Sequence, residues 1–386
     1  MITNIQTYLD SLPDDTKYIN IVSMNITYLP DLSRFTKLIH LNCSHNQLTH
    51  LPELNSSLTE LYCNHNQLRD LPELNENLLI LSCRNNYITN LPNLNTNLQC
   101  LTVDNNNLTH LPVLNKNLQR LSCHTNQLTE LPVLNEDLQN LDCSYNKVTH
   151  LPNLNEKLHI LKCQYNKLTC LPKLNGKLEE LYCLENKLTN LPDFNVGLKE
   201  IICSNNMITH LPKFNENLLV LFCDNNRLTG LPKFNAKLIR LSCENNYITK
   251  LPELNENIEF LYCSNNRLSK LPNLNSKLRG LYCSNNKLTS LPDLNVNLLF
   301  INFTNNEIYS IINTNDVNNV RKKLQILKKF KNVYYSVRFR DKFRKWLWEK
   351  IREPKIIKHY SPNALIKLLE NKDEDEDIST IVFDQW

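Results

Sequence analysis

The chain has 386 residues, of which 43 are Lys or Arg and 39 are Asp or Glu, with 14 cysteines, 17 prolines and only four glycines. So few glycines exclude a glycine-rich phosphate-binding loop, and no apolar run reaches the ~20 residues that span a bilayer. The opening MITNIQTYLDSLPDD lacks the basic start and small-residue cleavage site of a secretory signal, so the expected compartment is the cytoplasm, where the cysteines stay thiols.

Ile5, Tyr8, Leu9 and Leu12 recur at helical spacing, which predicts a short amphipathic helix within residues 1–16 that closes the N-terminal end of the next segment. That segment, residues 17–312, is one twenty-residue sentence written repeatedly. The slot of Leu58 returns every twentieth residue from Leu38 to Leu298, with Ile258 the one substitution, giving fourteen copies in register after a degenerate one in YINIVSMNITYLPDL. Each reads L-x-x-L-x-C-x-x-N-x-L, a leucine-rich-repeat pattern.

In Leu61, Tyr62 and Cys63, leucine and cysteine fall on one face of a short strand and tyrosine on the other, because strand side chains alternate. The LTxLPxLNxxL half carries a proline and has no room for a helix, so it is expected to be extended or polyproline-like. The predicted fold is therefore a leucine-rich-repeat solenoid of the α/β repeat class, about fifteen repeats long. Its parallel sheet would lie on the concave face and its extended segments on the convex face, with helical caps at both ends. The asparagine column from Asn46 to Asn306 is expected to bond unpaired turn groups from coil to coil. The cysteine column from Cys43 to Cys283, interrupted by Val103 and closed by Phe303, is expected to be buried filler, since valine and phenylalanine serve in the same slot. One thiol per coil with no inward histidine offers no tetrahedral metal site. Cys100 and Cys170 fall outside the column and are candidate exposed thiols.

After Ile312 the composition changes. Residues 316–360 hold fifteen Lys and Arg against four acids, and residues 361–386 hold two against seven. Val317, Val320, Leu324 and Leu327 form one helical stripe, and Phe339, Phe343, Leu347 and Ile351 another, which predicts a basic helical C-terminal cap over 313–360. Ser361 and Pro362 mark the start of a short helix ahead of an acidic tail, within 361–386.

The repeats resemble the short LPxLPxxLxxLxxxxNxLTx repeats of bacterial effectors of the YopM and IpaH type, with LPxLN in place of LPxLP. In residue usage and in FRKWLWEKIREPKIIKHYSPNALIKLLE the chain is also similar to leucine-rich-repeat proteins of giant DNA viruses of the mimivirus group. The resemblance implies a viral interaction protein acting on host proteins in the host cytoplasm. Effectors of the IpaH type carry a catalytic cysteine in a large domain after the repeats; no cysteine follows Cys283, so that activity is not carried over.

Function is expected in the outward strand slots. Val220, Phe222, Phe260, Tyr262, Tyr282 and Phe300 make an aromatic patch suited to a protein partner, whereas His40, Asn42, Glu60, Arg120 and Asp142 make the early slots polar. The alternative reading is an adaptor whose basic segment, through Arg338, Arg340, Arg344, Lys345, Trp346 and Trp348, contacts nucleic acid or an anionic membrane. No catalytic motif appears, His45 and His65 share a slot as surface residues, and no cofactor, metal or small-molecule substrate is expected.

Overall fold

The structure is a computed structural model that describes residues 5–338 and 340–355. Fifteen strands of three residues each, from Tyr18–Asn20 and His40–Asn42 to Phe300–Asn302, form one parallel sheet in strict sequence order. The first pair sets Tyr18 beside His40, an offset of 22 residues, and every later pair is offset by 20, as Glu60 beside Ile80 shows. Equal offsets place equivalent slots in straight columns across the sheet. Inward leucines such as Leu41, Leu61 and Leu81 are buried to 1 % exposure or less, so the strand alternation works as expected. The proline half holds turns but neither helix nor strand, consistent with its missing donor.

The chain leaves each strand through a left-handed residue. From His45 to Asn305, the position before each column asparagine has φ between 52° and 58°, as does Asn25 in the degenerate first copy, and no glycine is used anywhere with positive φ. Asparagine tolerates this region best among residues with a side chain, which explains Asn85, Asn105 and the unbroken run Asn205 to Asn305; Thr125, Tyr145, Tyr165 and Glu185 bear the same geometry at a steric cost.

The next residue forms the expected asparagine ladder. The Asn66 amide donates to the carbonyls of Cys43 in the preceding coil (3.0 Å) and Cys63 in its own (3.2 Å), while its Oδ1 accepts the Leu48 N–H at 2.9 Å. This pattern repeats to Asn306. A second ladder runs along the proline half, through the asparagine of LPxLN. Asn95 donates to the carbonyls of Asn75 (2.7 Å) and Leu78 (2.9 Å), and Asn115 and its successors repeat this to Asn295, except that Asn135 donates to Lys116 in place of Asn115. A proline in that slot could not donate, so the LPxLN departure carries a structural function.

All fourteen cysteines are free thiols, and the twelve of the column are buried, whereas Cys100 is half-buried and Cys170 exposed. Several column thiols donate to the next strand, as Cys143 does to the Lys162 carbonyl at 3.5 Å. Among the described residues no group of three metal-ligating side chains converges.

Both ends of the repeat unit are closed. Helix α1 (Ile5–Asp10) buries Ile5 and Leu9, and the Arg34 guanidinium donates to the carbonyls of Leu9 and Leu12 while pairing with Asp14. At the other end, Phe303 is fully buried, edge-on to Tyr309 at 5.2 Å, and followed by buried Ile308, Ile312 and Val320. Helix α2 (Tyr309–Ile312) ends at left-handed Asn313.

The chain divides into two compact units, Met1–Val320 and Arg321–Trp386. The second contains most of helix α3 (Val317–Arg338), then α4 (Arg340–Leu347) and a π-helical turn over Trp348–Arg352. Within α3, Val317, Leu324 and Leu327 are half-buried beside buried Val320. Phe339 and the helix expected after Ser361 lie outside the described residues. No described helix is long and apolar enough to cross a membrane.

Candidate functional site on the sheet face

The outward slots form two columns. Late in the sheet the first reads Val220, Arg240, Phe260, Gly280, Phe300, and the second Phe222, Ser242, Tyr262, Tyr282, Asn302. Strand register alone makes Tyr262 and Tyr282 neighbours. Their rings stack at 4.8 Å with an interplanar angle of 10°, and Phe260 lies parallel to Tyr262 at 6.4 Å. The Arg240 guanidinium sits 5.9 Å from the centre of the Phe260 ring, extending the platform with a cation. Burial among these rings, then the neighbouring Tyr282 hydroxyl, raises the Tyr262 pKa, so that phenol stays a neutral donor at physiological pH.

Three of the six predicted residues are thus brought together. Phe222 is separated from Tyr262 by Ser242, a buried residue whose hydroxyl donates to the Asp224 carboxylate, and Val220 is separated from Phe260 by Arg240. Phe300 adjoins Gly280 and is 55 % exposed. Gly280, which no sequence pattern singles out, shapes the platform: a β carbon there would lie 2.8 Å from the Phe260 ring and 3.3 Å from that of Tyr282. Glycine leaves the space into which those rings close.

The earlier face is less uniformly polar than its sequence suggests. The tripeptide Glu-Leu-Tyr occurs twice in strands, and in both the tyrosine hydroxyl donates to the glutamate two residues back, Tyr62 to Glu60 at 3.1 Å and Tyr182 to Glu180 at 3.2 Å. His40 bonds Glu60 at 3.1 Å, and its ring lies 5.3 Å from that of Tyr62. Burial, with the carboxylates of Glu200 and Glu180, raises the Tyr182 pKa. Between these clusters lies a groove of about 310 Å³ lined by Cys100, Arg120, Asp142, Ile160 and Lys162.

Beside the strands, the 3 % exposed Asp104 accepts hydrogen bonds from Ser122 Oγ (2.6 Å) and the His124 N–H (3.1 Å), and pairs with Arg84 at 3.3 Å. Burial raises its pKa against the pull of these partners. His45 and His65 stack at 4.2 Å on the left-handed turn; burial, then His45 and Arg84, lowers the His65 pKa. Parallel rings in successive coils share a face and offer no third ligand.

Of the residues expected at an anionic ligand, Arg338 ends α3, while Arg340, Arg344, Lys345 and Trp346 lie on α4 and Trp348 opens the π-helical turn; these last five are exposed.

No family model matches the sequence, and no curated protein matches it. Solved structures do. YopM from Yersinia enterocolitica is 31 % identical, with 77 % of this chain and 75 % of that one covered and a TM-score of 0.65. The leucine-rich effector YopM from Yersinia pestis is 29 % identical over 73 % of this chain and 87 % of its own, with a TM-score of 0.64. InlJ from Listeria monocytogenes, whose functional domain includes a cysteine ladder, is 28 % identical over 71 % and 69 %, with a TM-score of 0.57. Repeat length, register, asparagine ladder and these likenesses agree: the chain belongs to the leucine-rich-repeat proteins, among those built, like YopM, from repeats of about twenty residues.

Proposed function

We propose that this protein is a non-catalytic scaffold that binds a protein partner on the outward sheet face, centred on Phe260, Tyr262 and Tyr282. The observation that carries this reading is the stacked tyrosine pair at 4.8 Å, held in a half-buried platform rather than in the core. Aromatic anchors of this kind dominate interface energies, and here the fixed strand register pre-organises them, lowering the entropy lost on docking. The fold is also that of Toll, solved in complex with Spatzle. Twelve unpaired column thiols are compatible with a reducing compartment, and the reading is of a protein acting in the cytoplasm.

The test is quantitative capture from cell extract by wild type, by Tyr262→Ser with Tyr282→Ser, and by a control carrying Arg120→Ser with Asn140→Ser. Loss of the tyrosine pair should weaken capture of the same partner tenfold or more with unchanged melting. Equal loss from the control, or none from the tyrosine pair, would place the interface elsewhere.

A further inference from the structure

We infer that the helical segment Arg321–Lys355 is a docking face for an anionic lipid surface. Residues 317–355 contain fourteen Lys and Arg against three acids, Asp341, Glu349 and Glu353. Two of those acids are held close to cations, Asp341 to Arg340 at 3.6 Å and Glu349 to Lys345 at 3.8 Å, which leaves the positive excess intact. Large apolar side chains stand in water among these charges. Ile326 and Phe330, one helical turn apart, are 59 % and 74 % exposed, and Trp346, Trp348 and Ile351 are 40–50 % exposed.

Basic side chains and exposed bulky apolar ones on polar helices are what an interfacial segment requires: the cations meet lipid headgroups while the apolar groups enter the acyl boundary. These helices are too polar to span a membrane, so the segment would lie on its surface. Tryptophan is at home at headgroup depth, where its ring is partly apolar and its N–H still finds an acceptor. The aliphatic residues favour lipid over nucleic acid. Ile326 and Ile351 have no flat face on which a base could stack, whereas an acyl boundary accepts them as readily as it accepts Phe330.

The test is flotation of the full chain with vesicles of phosphatidylcholine alone and with about 30 % phosphatidylserine, a composition that gives the negative surface potential expected to attract the segment. A parallel titration uses duplex DNA. Binding to the anionic vesicles should exceed that to neutral ones at least tenfold at low salt, fall steeply at high salt, and shift tryptophan emission to the blue. Ile326→Ser with Phe330→Ser, and separately the charge reversal Lys329→Glu with Arg344→Glu, should each reduce binding fivefold or more, with melting of the repeats unchanged. Equal binding to both vesicles, no binding, or variants that bind as wild type would overturn the assignment. DNA capture with the vesicles left unbound would also overturn it and give the face to nucleic acid.

Discussion

Gly280 and Phe260 divide one volume between them: the ring occupies space that a β carbon on the glycine would enter, at 2.8 Å. Gly280→Ala therefore acts on the platform more than on the fold. A strand alanine restricts the unfolded chain, which stabilises by roughly 0.4–1 kcal/mol and offsets the clash with a ring edge that can swing away. We expect an unfolding midpoint close to wild type, with partner capture reduced as far as by Phe260→Ala. A large loss of stability would show that the ring cannot move.

The two asparagine ladders should differ in weight. Asn146→Ala strips bonds from the carbonyls of Cys123 and Cys143 and from the Leu128 N–H, all within the buried turn. Each orphaned group costs about 1–3 kcal/mol, so a loss of about 3 kcal/mol or more is expected. Asn155→Ala leaves two carbonyls without their donor, Asn135 and Leu138, at a half-buried site, and should cost about half as much. Denaturant unfolding of the two variants measures the ratio, and equal losses would contradict the difference in burial.

Thr125 adopts φ 54°, a conformation in which a β-branched residue is strained and asparagine is not. Thr125→Asn should stabilise the protein by about 1 kcal/mol. Asn265→Thr in the equivalent slot should destabilise it by a similar amount. Paired urea titrations check both signs.

Alkali should unfold the protein abruptly. Burial pushes the thiols of Cys43, Cys183 and Cys283 up to about 12 from an ordinary value near 9, and raises those of Cys123, Cys143, Cys163 and Cys203 as well. Above pH 9 the unfolded chain has released these protons while the folded chain keeps them. Stability is therefore full below pH 9 and falls as pH rises toward 12, by up to about 1.4 kcal/mol per thiol per pH unit. Cys183→Val with Cys283→Val should move the alkaline unfolding midpoint upward. At pH 8 a thiol reagent should react quickly with Cys100 and Cys170 only; rapid modification of column cysteines would refute their burial.

Most of the solenoid was legible because a fixed period turns sequence distance into spatial adjacency. Leu58 predicts Leu78, and Tyr262 beside Tyr282 needs no coordinates. What escaped was whatever the period does not encode. The left-handed turn is invisible in Thr125, Tyr145 and Glu185, whose side chains give no sign of it, although the many asparagines in that slot were a usable signal. The second ladder was written in LPxLN but its acceptors are main-chain carbonyls, which every residue carries. Gly280 contributes by having no side chain, and the Glu60–Tyr62 and Glu180–Tyr182 bonds depend on rotamers that residue type does not fix.

The constant offset of 20 residues after the first pair makes each coil interchangeable with the next in its strand pairing. An in-frame gene duplication or loss of one coil would therefore leave both ladders and the buried column of the cysteine slot in register, at the cost of a single new neighbour contact. It would also change which side chains face one another across the sheet: removing residues 271–290 brings Phe300 against Phe260 and Asn302 against Tyr262, dismantling the tyrosine stack in a protein that still folds. The same lineage could thus vary its length, and with it the surface it presents, in discrete steps without reopening the folding problem.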